Sequence, residues 1–110
     1  MAVDIQKLFN EEVPAKIAKN PDAAKQIGAT YQFVITGEGG GDWFIDVKDN
    51  PSCKAGNPGT AECTMTLAAE DFQKLMENPQ ANGMQLFFGG KLKVAGNNML
   101  AMKLQKLFSL

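Results

Sequence analysis

A chain of 110 residues with a formal net charge of −1 is near the commonest size for a single domain, and it lacks the charge excess that steers proteins to nucleic acid or holds them on anionic membranes. It contains no histidine, which removes Ser-His-Asp triads, Cys-His pairs and His-ligated metal centres from consideration. No apolar run is long enough to span a bilayer, and Met1-Ala2-Val3-Asp4 turns acidic too early for a secretory leader.

Taken in chain order, Asp4 suits an N-cap, and Ile5, Leu8, Phe9, Val13 and Ile17 fall at helical spacing. Pro14 predicts a kink or break in that helix. Asn20-Pro21-Asp22 reads as a stop and a fresh start, with a short helix ending near Gly28. From Ala29 the period becomes two. Tyr31, Phe33 and Ile35 alternate with Gln32, Val34 and Thr36, and beyond the Glu38–Asp42 turn Trp43, Ile45 and Val47 alternate with Phe44, Asp46 and Lys48, which predicts a hairpin with one buried face. Ser52 to Ala55 gives a short third strand, and Glu62 to Leu67 a fourth with Cys63, Met65 and Leu67 on one side.

Helical spacing returns with Phe72, Leu75 and Met76, and ends at Asn78-Pro79. Gln80 to Phe88 predicts a further short helix carrying Met84, Phe87 and Phe88, stopped by Gly89-Gly90. Phe87 and Phe88 diverge by about 100° on a helix, so one would face the sheet and the other a cavity or another helix, unless both merely serve helix packing. Lys91 to Val94 is a fifth strand with its lysines outward, as suits a sheet edge. A final helix runs to about Phe108, with Leu100, Leu104, Leu107 and Phe108 in one stripe, Ala101 and Gln105 on one flank, and Met99 and Met102 beside Lys103 and Lys106. Its apolar surface exceeds what one buried face needs. That fits either a helix packed partly on something removable or one with partly exposed methionines. The clustered, interrupted strands predict an α+β fold: a five-stranded, mostly antiparallel sheet with about five helices on one face.

Side-chain chemistry narrows the function further. Cys53 and Cys63 match neither a disulfide framework nor a zinc spacing, and read as reduced strand or core residues in a reducing compartment. Glu38-Gly39-Gly40-Gly41 lacks the Lys-Ser/Thr ending and the following helix of a phosphate loop, and reads as a turn. Glu11, Glu12, Asp46, Glu62, Glu70 and Asp71 all fall at predicted element ends or polar faces, so no sheltered acid–base pair emerges. Six Met and seven Phe suit a soft, adaptable interior as well as a generic core.

Trp43-Phe44-Ile45-Asp46-Val47-Lys48, Cys63-Thr64-Met65-Thr66-Leu67 with Asp71-Phe72, Asn78-Pro79, and Gly90 to Asn97 followed by Leu100 to Gln105 together resemble the sterol carrier protein 2 family, over about Leu8 to Phe108. The glycine-rich hairpin and short length resemble its stand-alone bacterial members. The resemblance implies one domain over residues 1–110, with an apolar tunnel between sheet and helices. It implies non-enzymatic binding and transfer of fatty acid, fatty acyl-CoA, phospholipid or sterol, or else a lipid-presenting or regulatory module for a partner enzyme. The expected ligand contacts are Phe33, Trp43, Phe72, Met76, Met84, Phe87, Phe88, Leu100, Leu104, Gln105 and Phe108, with no catalytic residue, metal or cofactor. A monomer is expected, with room for transient membrane contact and none for nucleic acid. The ending Phe108-Ser109-Leu110 departs from the peroxisomal tripeptide of eukaryotic relatives, and the cytoplasm is the expected location.

Overall fold

The computed structural model describes residues 4–97 together with Met99, Leu100 and Lys103. Asp4 caps the first helix, its Oδ1 accepting from the Lys7 N–H at 3.1 Å. The helical run 5–19, here α1, consists of Ile5–Lys7, a π-helical turn Leu8–Glu12, and Val13–Lys19. The break expected at Pro14 does not occur. The preceding turn widens instead, with the Val13 N–H reaching back five residues to the Leu8 carbonyl. That leaves the Phe9 carbonyl facing a proline without an N–H, and the Cys53 thiol donates to it at 3.2 Å. α2, Pro21–Ile27, starts on its proline and ends at Gly28 in the left-handed conformation, as the sequence predicts.

The strands are β1 Ala29–Thr36, β2 Gly41–Val47, β3 Ser52–Ala55, β4 Cys63–Ala68 and β5 Lys93–Gly96. They lie in the order β3-β2-β1-β4-β5 in one sheet. Only β1 and β4 pair in parallel; the other three junctions are antiparallel. α3, Ala69–Glu77, and α4, Pro79–Phe88, bridge β4 to β5. Four helices are complete among the described residues, and Met99, Leu100 and Lys103 are helical, which places the start of the fifth. The α+β reading, the five strands and their mostly antiparallel pairing therefore hold. β5 lies two residues later than the alternation suggests, because Leu92 is buried within the turn that precedes it.

The inner face of the sheet has the expected parity. Tyr31, Phe33, Ile35, Trp43, Ile45, Val47, Met65 and Leu67 are all buried, together with Phe9, Val13, Ile17 and Phe72 from the helices. Thr30, Val34, Phe44, Asp46, Thr64 and Thr66 occupy the opposite parity and remain half-exposed. Gln32 is the exception on that side: it is buried, and its amide donates to the Gly56 and Phe33 carbonyls at 3.0 and 3.1 Å. Cys53, Ile45, Tyr31 and Cys63 stand in one row across four strands. Three strand spacings, about 14 Å, separate the two thiols, far beyond disulfide reach. Both cysteines are free.

Candidate functional site

α1, β1, β2 and α3 each send an aromatic ring to the middle of the core. Phe9 stacks on Trp43 at a centroid separation of 4.7 Å and lies 5.0 and 5.5 Å from Phe33 and Phe72. Phe33 meets Phe72 edge-on at 6.2 Å. The Trp43 Nε1–H donates to Asn10 Oδ1 at 2.9 Å, so its polar edge is satisfied from the π turn of α1. Phe33, Trp43 and Phe72 are thus brought together as packed core side chains.

Toward β4 and β5 the core has a looser margin. Met76 and Leu100 are half-buried and pack against it. The Tyr31 hydroxyl donates to the Leu100 carbonyl at 2.6 Å, which seats the start of the final helix over the central strand. Met84, Phe87 and Phe88 stand apart from this group, 63 %, 42 % and 77 % exposed on α4. Leu86, which sequence reasoning passed over, is the residue that α4 buries. Gly83 lets α4 approach α3, since a Cβ there would lie 3.3 Å from Leu75 Cδ1. Leu104, Gln105 and Phe108 lie outside the described residues.

Two open clefts flank this region. One, of about 460 Å³, runs between α3 and α4 past Lys74, Glu77, Asn82, Gln85 and Lys91. The other, of about 370 Å³, lies between the start of α1, the β1–β2 turn and α3, lined by Asp4, Gln6, Glu38, Glu70 and Gln73. Leu86 adds apolar surface to the first cleft, and Ile5 and Ala69 add it to the second. Asp71 departs from the polar placement expected of it: it is buried in the first turn of α3, and its Oδ1 has no hydrogen-bond partner among the described residues. Among the described residues no group of three or more Cys, Asp and Glu is placed to hold a metal ion. Nor is any helix among them long and apolar enough to cross a membrane.

Tyr31, Cys53 and Cys63 are held protonated. Burial, with Cys63 and Glu62 nearby, raises the Tyr31 phenol above its ordinary range. Burial pushes the Cys53 thiol up to about 12 and raises Cys63 as well. These groups keep their protons in the folded chain at a pH where the unfolded chain releases them. The stability they contribute is therefore complete below about pH 8.5, where an unfolded thiol begins to ionise, and declines as pH rises. Urea midpoints should fall steadily from about pH 8.5 to 11, and Tyr31→Phe should lessen the fall above about pH 10. A midpoint that stays flat through that range would show these groups to be accessible. On the surface, hydrogen bonds from Lys48 and from the Thr30 N–H hold the Glu62 carboxyl below its usual range.

The model of the SCP-2 sterol transfer family matches residues 7–109. Among curated proteins, hydroxysteroid dehydrogenase-like protein 2 of Bos taurus is 38% identical over 100 residues, covering 86% of this chain and 23% of that protein. Sterol carrier protein 2 of Homo sapiens is 38% identical over 105 residues, covering 91% of this chain and 19% of that protein. The chain spans about a fifth of the length of these relatives. Among solved structures, the apo form of sterol carrier protein 2 from Yarrowia lipolytica superposes with a TM-score of 0.71 at 28% identity, covering 94% of this chain and 83% of that one. Sterol carrier protein 2 from Aedes aegypti in complex with palmitate has the same fold, with a TM-score of 0.69 at 21% identity over 98% of this chain and 96% of that one.

Proposed function

The chain belongs to the SCP-2 sterol transfer family, and on that premise we propose that it binds and transfers a lipid without catalysing any reaction. The ligand classes are fatty acid, fatty acyl-CoA, phospholipid and sterol. The observation that carries this reading is the family match over residues 7–109. The fold shared with the palmitate complex from Aedes aegypti supports it. The ligand lies in an apolar chamber between the inner face of the sheet and the final helix. Phe33, Trp43 and Phe72 supply its packed floor, Met76 and Leu100 its margin, and Leu104 and Phe108 the covering stripe. Gln105 flanks that stripe and meets the polar end of the ligand, since its amide both donates and accepts. The chain acts as a monomer, and its two separated thiols suit the cytoplasm.

The binding energy is physical rather than chemical. Each buried methylene contributes roughly 0.8 kcal/mol, so a long acyl chain gains on the order of 10 kcal/mol gross. Ordering and association take back several, which leaves micromolar affinity or better. Native mass spectrometry of the purified protein should show a co-purified lipid, and palmitate should displace a fluorescent fatty acid. Gln105→Ala should weaken that binding only a few-fold, because one neutral hydrogen bond nets about 1 kcal/mol beside a much larger apolar term. A protein that carries no lipid and binds no fluorescent fatty acid would refute the reading.

The greater length of the relatives supports a second reading, in which the chain presents lipid to an enzyme supplied separately. It is favoured if the lipid-loaded chain raises the turnover of such an enzyme above the rate with free lipid, and loses ground if the two rates are equal.

A further inference from the structure

α4 is apolar on two sides. Leu86 faces the core, while Met84, Phe87 and Phe88 face solvent at positions i, i+3 and i+4. Exposed patches of this kind mark a contact surface rather than ordinary scatter of surface residues. The chain beyond the helix is held tightly against it. The Gly90 N–H donates to the Phe87 carbonyl at 3.2 Å and the Lys91 N–H to the Leu86 carbonyl at 2.9 Å, with Gly90 at φ 77°. Exposed Lys91 is thereby fixed beside the aromatic pair.

The charge distribution identifies what the surface meets. All twelve acidic residues lie at or before Glu77; from Asn78 to Leu110 the chain carries four lysines and no acidic side chain. The small net charge conceals this asymmetry. The exposed trio lies wholly within the acid-free stretch. Glu77 shares the α3–α4 cleft with Lys74 and Lys91, yet among the described residues neither Lys91 nor Lys93 is in an ion pair. Aromatic and thioether side chains flanked by lysines match a bilayer interface in which acyl chains lie beneath anionic headgroups.

We propose that the outward face of α4 is a membrane-docking surface, with Phe87 and Phe88 entering the acyl boundary and Lys91 meeting anionic phospholipid. It rests on the lipid-transfer reading, and names the partner from which lipid is taken and to which it is delivered. Docking is tested by co-sedimenting the ligand-free full chain with phosphatidylcholine vesicles, with and without phosphatidylglycerol as a minority lipid. The parent should pellet more strongly with the anionic vesicles, and added salt should reverse the difference. Phe88→Ser should weaken pelleting about tenfold with both vesicle types, and Lys91→Glu about tenfold with the anionic ones alone. Lys91→Glu should also keep the parent's affinity for a fluorescent fatty acid in vesicle-free buffer. A parent that does not pellet, or variants that pellet equally well, would overturn the proposal. So would a parent that is dimeric by light scattering and becomes monomeric on Phe88→Ser, since a second copy then covers the face. Pelleting without fatty-acid binding would refute lipid carriage and leave docking standing; binding without pelleting would do the reverse.

Discussion

Phe9→Ala should destabilise the protein by about 4 kcal/mol, a large part of the total stability of a domain this size. Phe9 is fully buried and touches three other rings, so truncation opens a void that four different elements would have to close. Its backbone is held as well, by the π turn and by the Cys53 thiol on its carbonyl. Local collapse is therefore restricted. Thermal unfolding should shift down by about 20 °C. Trp43 emission should change in the folded state, because the indole loses its stacking partner. Phe88→Ala, at a 77 % exposed ring, should move stability by less than about 0.5 kcal/mol. Denaturant titrations of the two variants check the contrast, and comparable losses would mean that the aromatic cluster is not the centre of the core.

Gly96→Ala is expected to cost about 3 kcal/mol, for a different reason. Gly96 ends β5 at φ 89°, a region that alanine enters only with strain, and an added Cβ would strike the Glu62 carbonyl. That same carbonyl accepts the Asn97 N–H at 3.1 Å, so the clash falls where the chain leaves the sheet for the final helix. Gly59→Ala separates the two contributions. Gly59 also has positive φ, at 77°, but nothing lies within 4 Å of the added Cβ. It should cost about 1 kcal/mol from strain alone. Gly96→Ala should also reduce fluorescent fatty-acid affinity severalfold, because the displaced strand leads into the helix proposed to cover the ligand. Equal losses in the two glycine variants would show that the close approach to Glu62 contributes nothing.

The inward parity of β1, β2 and β4 was legible because period-two alternation states directly which side chains share a face. Helix starts and stops at Asp4, Pro21, Gly28 and Asn78 were legible because those residues act through local geometry. What stayed hidden depends on distant contacts. Pro14 signals a break, but the partner that lets the helix widen instead, Cys53, comes 39 positions later. Asp71 belongs by local preference to an exposed first turn, and only tertiary packing buries it. The rotation of α4 could not be read from a helix with apolar residues on two sides; packing turns Leu86 inward, and Gly83 sits where an added Cβ would lie 3.3 Å from Leu75 Cδ1. The same limit applies to the ligand contacts. Alternation marks Phe33 and Trp43 as inward, and helical spacing does the same for Phe72, but neither period distinguishes a side chain packed on its neighbours from one that lines a chamber.

The parallel junction between β1 and β4 also orders the assembly of the chain. β1, β2 and β3 follow one another through short turns, so residues 29–55 can form a meander from local contacts. β4 joins β1 with Cys63 opposite Tyr31, 32 positions away, and β5 has an edge to join only after β4 is in place. Closing the longer loop costs more chain entropy and comes later. The last strands to dock are then the first to detach in partial unfolding, and amide exchange should be faster in β5 than in β1 or β2. Such an opening would uncover the margin at Met76 and Leu100 while the meander stays intact. The connection order of the sheet thus sets which edge of the core opens first, without requiring the whole domain to unfold.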